Sequence, residues 1–401
     1  MKILMLADVF FPDTVGGAGR VIYHLGLELS AKGHETHIIT RNMGGKFLSY
    51  QQFDSNLFAH RFFIPQKESI NLFLMEIKNS YSVLKQLYRE IQFDIVCIHQ
   101  SMVAIGPSLS NCCKNIPAIY YFHSPWHEEF LVKKSDGNRR SRKRDRLIAY
   151  IMRCIEKRLL LRTSNIVVLS RFMRDKILSI HKYPKNKITI IPGGIDLKNF
   201  QLPGKGKTPI KQRADFPSDK TIFLTVRNLV PRMGLENLIE AFSQSDTLRQ
   251  KGLLLIGGKG FLEDRLKTMV DNLNLKKTIR FLGHIPDESL PKIYQTADFF
   301  ILPTEKLEGF GLVILESMAC GTPVLGTPVG AIPEVIGPFD KKLIFDGTGW
   351  EDLKKKMEEV VERPDDYSFD PKACRKFIEE NYSWKKVADH FETIAIRLVR
   401  S

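Results

Sequence analysis

The chain has 401 residues, 43% of them apolar and 26% charged, a composition that excludes wholesale disorder and a single small core. No apolar run reaches the roughly 18–20 residues a membrane-crossing helix needs. The net charge of +15 points to an anionic partner, whether nucleic acid, an anionic membrane surface or a phosphorylated small molecule.

The N-terminal stretch MKILMLADVFFPD carries one lysine, then Asp8 and Asp13, and has no small-residue cleavage site. It reads as a buried first strand over 2–7 rather than a signal peptide. Strand-like runs follow at 36–40, 94–98, 118–122 and 165–170, with helical stretches at 18–32, 71–90 and 143–162 between them. A second set of strands is predicted at 221–226, 253–257, 279–283, 298–303 and 323–327, alternating with helices at 234–245, 262–273 and 311–319. Ten strands in two groups of five, each followed by a helix, predict two doubly wound α/β domains with parallel sheets. The Pro-, Gly- and Lys-rich segment 185–219 marks the seam, giving domains at 1–190 and 191–380. The segment 381–401 is an amphipathic helix with Val387, Phe391, Ile394 and Leu398 on one face. Doubly wound sheets bind ligands at the C-terminal ends of their strands, which is where motifs should fall.

Cysteines 97, 112, 113, 154, 320 and 374 form no C-x-x-C pair and have no histidine at metal spacing. They read as buried apolar residues in a reducing, cytoplasmic setting. After the first strand, residues 13–20 (DTVGGAGR) open a helix; Gly16 and Gly17 leave bare amides for a phosphate or sugar oxygen, or simply make a tight turn. The dinucleotide fingerprint breaks at Ile22. Strand, Gly257-Gly258-Lys259-Gly260 and helix repeat the pattern, again as an anion site or a plain turn.

The segment LPTEKLEGFGLVILESMACGTPVLGTPVGAIPEVI (302–336) holds Glu308 and Glu316 around Gly309-Phe310-Gly311. A strand ending near Pro303 and a helix from about Gly311 put Glu316 inside the first two turns and Glu308 on the loop before them. The amides of that loop converge at the positive end of the helix, where a diphosphate is favoured. Two carboxylates at opposite ends of one nucleotide-sugar, or a capped helix with a solvated glutamate, both fit the spacing.

This stretch resembles the E-x7-E signature of retaining glycosyltransferase family 4, which has the GT-B architecture. The resemblance runs nearly the whole chain: the first strand, glycine loop and helix, the histidine-bearing loop YYFHSPWHEE, the segment IIPGGIDLKNF, and FLGHIPDESLPKIYQTADFFILP leading into the glutamate motif. It implies two Rossmann-like domains facing a cleft, an acceptor-binding one at 1–190 and a nucleotide-sugar-binding one at 191–380, with helix 381–401 packing back on the first. It implies that Glu308 holds sugar hydroxyls and that the amides of Gly309, Phe310, Gly311 and Leu312 meet sugar or diphosphate. Glu316 would bind the ribose diol, and His284 and Ile285 would lie against the base. Gly258 belongs to the donor-side glycine loop. His123 would reach the donor beside Gly16 and Gly17, whereas His127 reads as a surface or acceptor-side group.

The family's diphosphate-neutralising Arg and Lys align with Asn228 and Met233 in TVRNLVPRMG, each preceded by an arginine, Arg227 and Arg232. Either these arginines supply the phosphate contacts or the charge clamp is lost. No D-x-D occurs, so the metal-bridged diphosphate of the other major glycosyltransferase fold lacks its ligands, and no metal or cofactor is expected beyond the nucleotide-sugar. The resemblance implies front-face transfer with retention to a glycan or lipid-linked acceptor. The basic run Arg139–Arg146 suggests a hold on the inner face of an anionic membrane, or a solvated basic surface. Nucleic acid is disfavoured because no aromatic interleaving accompanies the charge. Two other classes remain: a catalytically weak GT-B subunit assisting a partner enzyme, and a sugar-nucleotide epimerase on the same architecture.

Overall fold

The computed structural model describes the chain except residues 15, 67–69, 135–138, 205–215 and 218, and the side chains of residues 70, 71, 133 and 139–142. Much of the glycine- and lysine-rich seam therefore lies outside the described residues, as do four side chains of the basic run. The chain divides into two compact units, Met1–Gly193 with Trp384–Ser401, and Gly194–Ser383.

The first unit is built on β1 (Lys2–Ala7), β2 (Glu35–Met43), β3 (Tyr50–Asp54), β4 (Leu57–Ile64), β5 (Ile95–Ile98), β6 (Ala118–Phe122), β7 (Asn165–Val168) and β8 (Ile188–Ile190). Their order across the sheet is β3-β4-β2-β1-β5-β6-β7-β8, parallel throughout except for β3 against β4. The second unit carries β9 (Thr221–Val226), β10 (Gly252–Gly257), β11 (Ile279–Gly283), β12 (Phe299–Leu302) and β13 (Val324–Gly326), in the parallel order β11-β10-β9-β12-β13. Helices cover both faces of such sheets, so central strands read as unbroken apolar runs. Ile3 to Ala7 of β1 and all of β10 are buried.

The ten predicted strands are present, but the first sheet has eight strands rather than five. The extra hairpin β3–β4 places Arg61 in the interior, ion-paired to Asp13, so a charged residue interrupts the apolar run that would have announced the strand. β8 is short and only half-buried. Both additions lie at sheet edges, where burial on two faces is not required.

The last helix, Trp384–Arg400, belongs to the first unit. Val387, Phe391 and Ile394 are buried there, and the Trp384 ring stacks on His24 at 5.1 Å. Lys32 bonds Asp389 and Glu392 at 2.6 and 2.7 Å, and His34 Nε2 lies 2.7 Å from Glu392. The seam between predicted domain and helix thus has a physical clasp.

Candidate active site

In the second unit, β12 delivers the chain into a loop that ends at helix Leu312–Ala319. Leu307 and Gly311 both take left-handed backbone angles, φ 59° and 85°, and turn the chain so that Gly311 caps the helix. Four fastenings hold this loop. Arg232 donates from Nη1 to the Leu307 carbonyl at 2.8 Å, and its own carbonyl accepts from the Glu305 amide at 2.9 Å. Arg227 donates to Glu308 Oε2 at 2.6 Å. The Ala331 amide donates to the Glu308 carbonyl at 3.0 Å. That last approach needs a glycine beside it: a Cβ on Gly330 would stand 2.2 Å from the Glu308 oxygen.

Glu316 sits on the second turn of the helix and is 5% exposed. Tyr294, itself fully buried, donates from its hydroxyl to Glu316 Oε2 at 2.8 Å. A buried carboxylate needs hydrogen-bond donors, and Tyr294 supplies one that orients the Glu316 side chain. Phe310 is buried edge-on against Tyr382, so its side chain is structural and only its amide serves the loop.

The remaining predicted residues of this unit divide in two. His284 is exposed and Ile285 half-exposed, just past the end of β11. Gly258 is different. Its amide already donates to the Gly283 carbonyl at 2.7 Å, and a Cβ there would stand 1.9 Å from the Arg227 carbonyl. The glycine loop at 257–260 thus packs closely against the backbone of Arg227 to Leu229, with the Gly258 amide already used.

In the first unit, helix Gly17–Ala31 opens with no acidic residue in its first turn, and open space surrounds the position of a Cβ on Gly16. His123 follows β6 directly and is partly exposed. Its Nε2 lies 3.2 Å from Nδ1 of His99, and burial lowers its pKa to about 3. His127 departs from its predicted place at the surface. It turns inward towards Glu156, an interior carboxylate that also takes a bond from His181 at 3.0 Å and from the Trp126 amide at 3.2 Å. The His127 Nδ1 itself stays 3.9 Å from Glu156, too far for a hydrogen bond, so His181 and the Trp126 amide are the donors that hold this carboxylate.

Residues 15–199 match the pattern of the family described as Glycosyltransferase Family 4, and residues 206–384 that described as Glycosyl transferases group 1. The chain belongs to glycosyltransferase family 4. It is 24% identical over 394 residues to an uncharacterized glycosyltransferase of Methanocaldococcus jannaschii, covering 97% of this chain and 96% of that one. It is 27% identical over 211 residues to the GDP-mannose-dependent monoacylated alpha-(1-6)-phosphatidylinositol monomannoside mannosyltransferase of Corynebacterium glutamicum, covering 51% and 55%. Its structure is similar to that of sucrose-phosphate synthase from Thermosynechococcus elongatus, with a TM-score of 0.82, 21% identity and coverage of 99% and 98%. The two Rossmann-like sheets are those of the GT-B fold.

Against the family 4 pattern, Asn228 is exposed and Met233 is buried at 5% exposure. Arg227 reaches both Met233 Sδ and Glu308 Oε2. Three residues of this glycosyltransferase escaped the sequence reading: Tyr294, Gly330 and His99. The first two lie between predicted elements, inside segments that carry the family resemblance without a role of their own, and His99 directly follows β5, two residues after Cys97. Only the strand-end position of His99 offered a signal. Among the described residues no cluster of three His, Cys, Asp or Glu side chains is placed to hold a metal, and no helix is long and apolar enough to cross a membrane.

Proposed function

We propose that the protein is a retaining, metal-independent glycosyltransferase that moves a sugar from a UDP- or GDP-linked donor to a glycan or lipid-linked acceptor in polysaccharide or glycoconjugate synthesis. The observation that carries this reading is the buried Glu316 with its Tyr294 donor on the helix behind the 305–311 loop. A buried carboxylate oriented by a tyrosine hydroxyl suits a ribose diol, and the helix-end amides before it suit a diphosphate. Glu308, with Oε2 on Arg227, keeps Oε1 for sugar hydroxyls.

In this mechanism the bond from the anomeric carbon to the diphosphate oxygen breaks through an oxocarbenium-like state. The acceptor hydroxyl attacks from the same face, and its proton passes to the departing phosphate oxygen. No enzyme nucleophile is required. Leaving-group charge is met by Arg227 and backbone amides. The name of the Corynebacterium relative, with its GDP-mannose donor and lipid acceptor, supports the substrate classes.

A second reading, a catalytically weak subunit assisting a partner enzyme, rests on Met233 standing where the family has a lysine. One experiment separates the two: thermal unfolding with UDP, GDP, ADP and TDP in EDTA, for the wild type and Glu316→Ala. A nucleotide at ~100 times its dissociation constant adds about 2.7 kcal/mol to the unit that binds it. One base shifting the wild type but not the variant supports the active donor site; no shift with any base puts the weak subunit first.

The membrane hold proposed here uses helix Arg139–Leu161. Leu147, Tyr150 and Ile151 are exposed at 60%, 65% and 48%, and Lys143, Arg144, Arg146, Arg153, Lys157 and Arg158 are exposed around them. Apolar side chains among cations are the pattern of a helix lying in a lipid interface. Leu147→Asp with Ile151→Asp should abolish flotation with anionic vesicles, and flotation that the pair leaves unchanged overturns this placement.

A further inference from the structure

His123 is the partly exposed end of a row of three side chains whose other two members are buried. Cys97 on β5 and His99 just beyond it point to one side of the sheet, two residues apart. β6 runs parallel to β5, and His123 follows its last residue. Cys97 Sγ lies 3.3 Å from Nε2 of His99, and Nδ1 of His99 lies 3.2 Å from Nε2 of His123. The Tyr121 ring stacks on both imidazoles, at 5.2 Å from each. Cys97 and Tyr121 are fully buried and His99 is 1% exposed.

Burial settles the charge of every member of the row. It lowers His123 and His99, so both rings are neutral at pH 7, and it raises the Cys97 thiol, which keeps its proton. A neutral imidazole has one N–H and one bare nitrogen, so the row admits two proton orders. In one, the thiol donates to His99 Nε2, His99 Nδ1–H donates to His123 Nε2, and His123 carries its own proton on Nδ1. In the other, His99 Nε2–H points at sulfur, a weak acceptor, the buried S–H is turned away from the ring nitrogen it faces, and His123 keeps a bare Nδ1. The first order uses every donor in the dry part of the row; the second wastes one.

We infer that Cys97 and His99 are positioning residues that fix the proton order of His123, so that it offers a neutral Nδ1–H donor to a sugar or phosphate oxygen and does not act as a base. The identity of that oxygen rests on the glycosyltransferase reading; the proton order does not. A donor at this position agrees with a mechanism in which the departing phosphate, and no side chain, takes the acceptor's proton.

The test is the nitrogen-15 spectrum of histidine-labelled full-length protein, which reports which ring nitrogen carries the proton. In the wild type, His123 should be protonated at Nδ1, with no imidazolium form between pH 5 and 8. Cys97→Ser keeps an O–H donor and should preserve that order. Cys97→Ala removes it, and the proton of His123 should move to Nε2. Once a donor sugar is known, kcat should fall roughly tenfold in Cys97→Ala, the size of one lost hydrogen bond, and stay near wild type in Cys97→Ser. A wild-type His123 protonated at Nε2, or charged at pH 7, overturns the inference even if no variant folds. An unchanged proton order in a folded Cys97→Ala overturns it as well. A wild type that turns over no nucleotide-sugar while showing the Nδ1 proton would instead sink the glycosyltransferase reading alone.

Discussion

Arg227 is paired with Glu308, and the proposed mechanism asks it to meet a diphosphate as well. In the ligand-free chain its guanidinium neutralises Glu308, with 7% and 13% of the two side chains exposed. Removing one partner of a nearly buried pair leaves the other uncompensated, so Arg227→Met should destabilise the second unit by about 3–5 kcal/mol. Arg227→Met with Glu308→Gln removes both charges and should recover most of that loss. If Arg227 also holds phosphate, nucleotide affinity in the double variant should stay weaker by about 1.5–3 kcal/mol, one charged hydrogen bond. Calorimetric titration with the nucleotide that stabilises the wild type gives the answer: wild-type affinity in the double variant would make Arg227 a purely structural partner of Glu308.

Elements were legible in the sequence where an apolar run marks them locally. β1, β6, β9 and β11 follow their apolar runs residue for residue, and the helix behind the glutamate motif begins one residue after its predicted start. The hairpin β3–β4 was invisible because Arg61 depends on Asp13, 48 residues earlier, and no local pattern records such a pair. Tyr294 escaped for the same reason: its partner Glu316 lies 22 residues on, across the packing of two helices. A pH effect belongs to this scale as well. Helix Ile70–Leu87 buries Glu76, whose carboxyl is raised to about 7 by burial, an effect Arg41 opposes and Asp8 reinforces. The native chain therefore keeps a proton that the unfolded chain releases above its ordinary carboxylate pKa. Stability falls as pH rises from about 4.5 to 7, by on the order of 1–3 kcal/mol in all, and the loss is complete above that window. Glu76→Gln cannot titrate, so its stability should change less between pH 5 and pH 8 than that of the wild type. An equal change in unfolding free energy for the wild type and Glu76→Gln between the two pH values, measured by urea denaturation, would show that Glu76 does not titrate between them.

At the scale of the whole molecule, the chain ends by returning to the unit in which it began. Trp384, Val387, Phe391 and Ile394 are buried there at 5%, 3%, 0% and 7% exposure. Each such side chain contributes roughly 1.5–3 kcal/mol, so the helix supplies an amount comparable with the entire stability of a typical domain. The clasp of Lys32 and His34 on Glu392 is exposed enough that its share is small beside that. Packing should therefore dominate, and a single cavity should show it. Phe391→Ala is expected to cost about 3–5 kcal/mol. Because that phenyl ring lies wholly within the first unit, hydrogen exchange should quicken in β1, β2 and helix Gly17–Ala31 while β9 to β13 keep their protection. Nucleotide-induced stabilisation of the second unit should be unchanged. If protection in β9 to β13 falls equally, the two units do not open independently, and the last helix must be counted as support for both sheets.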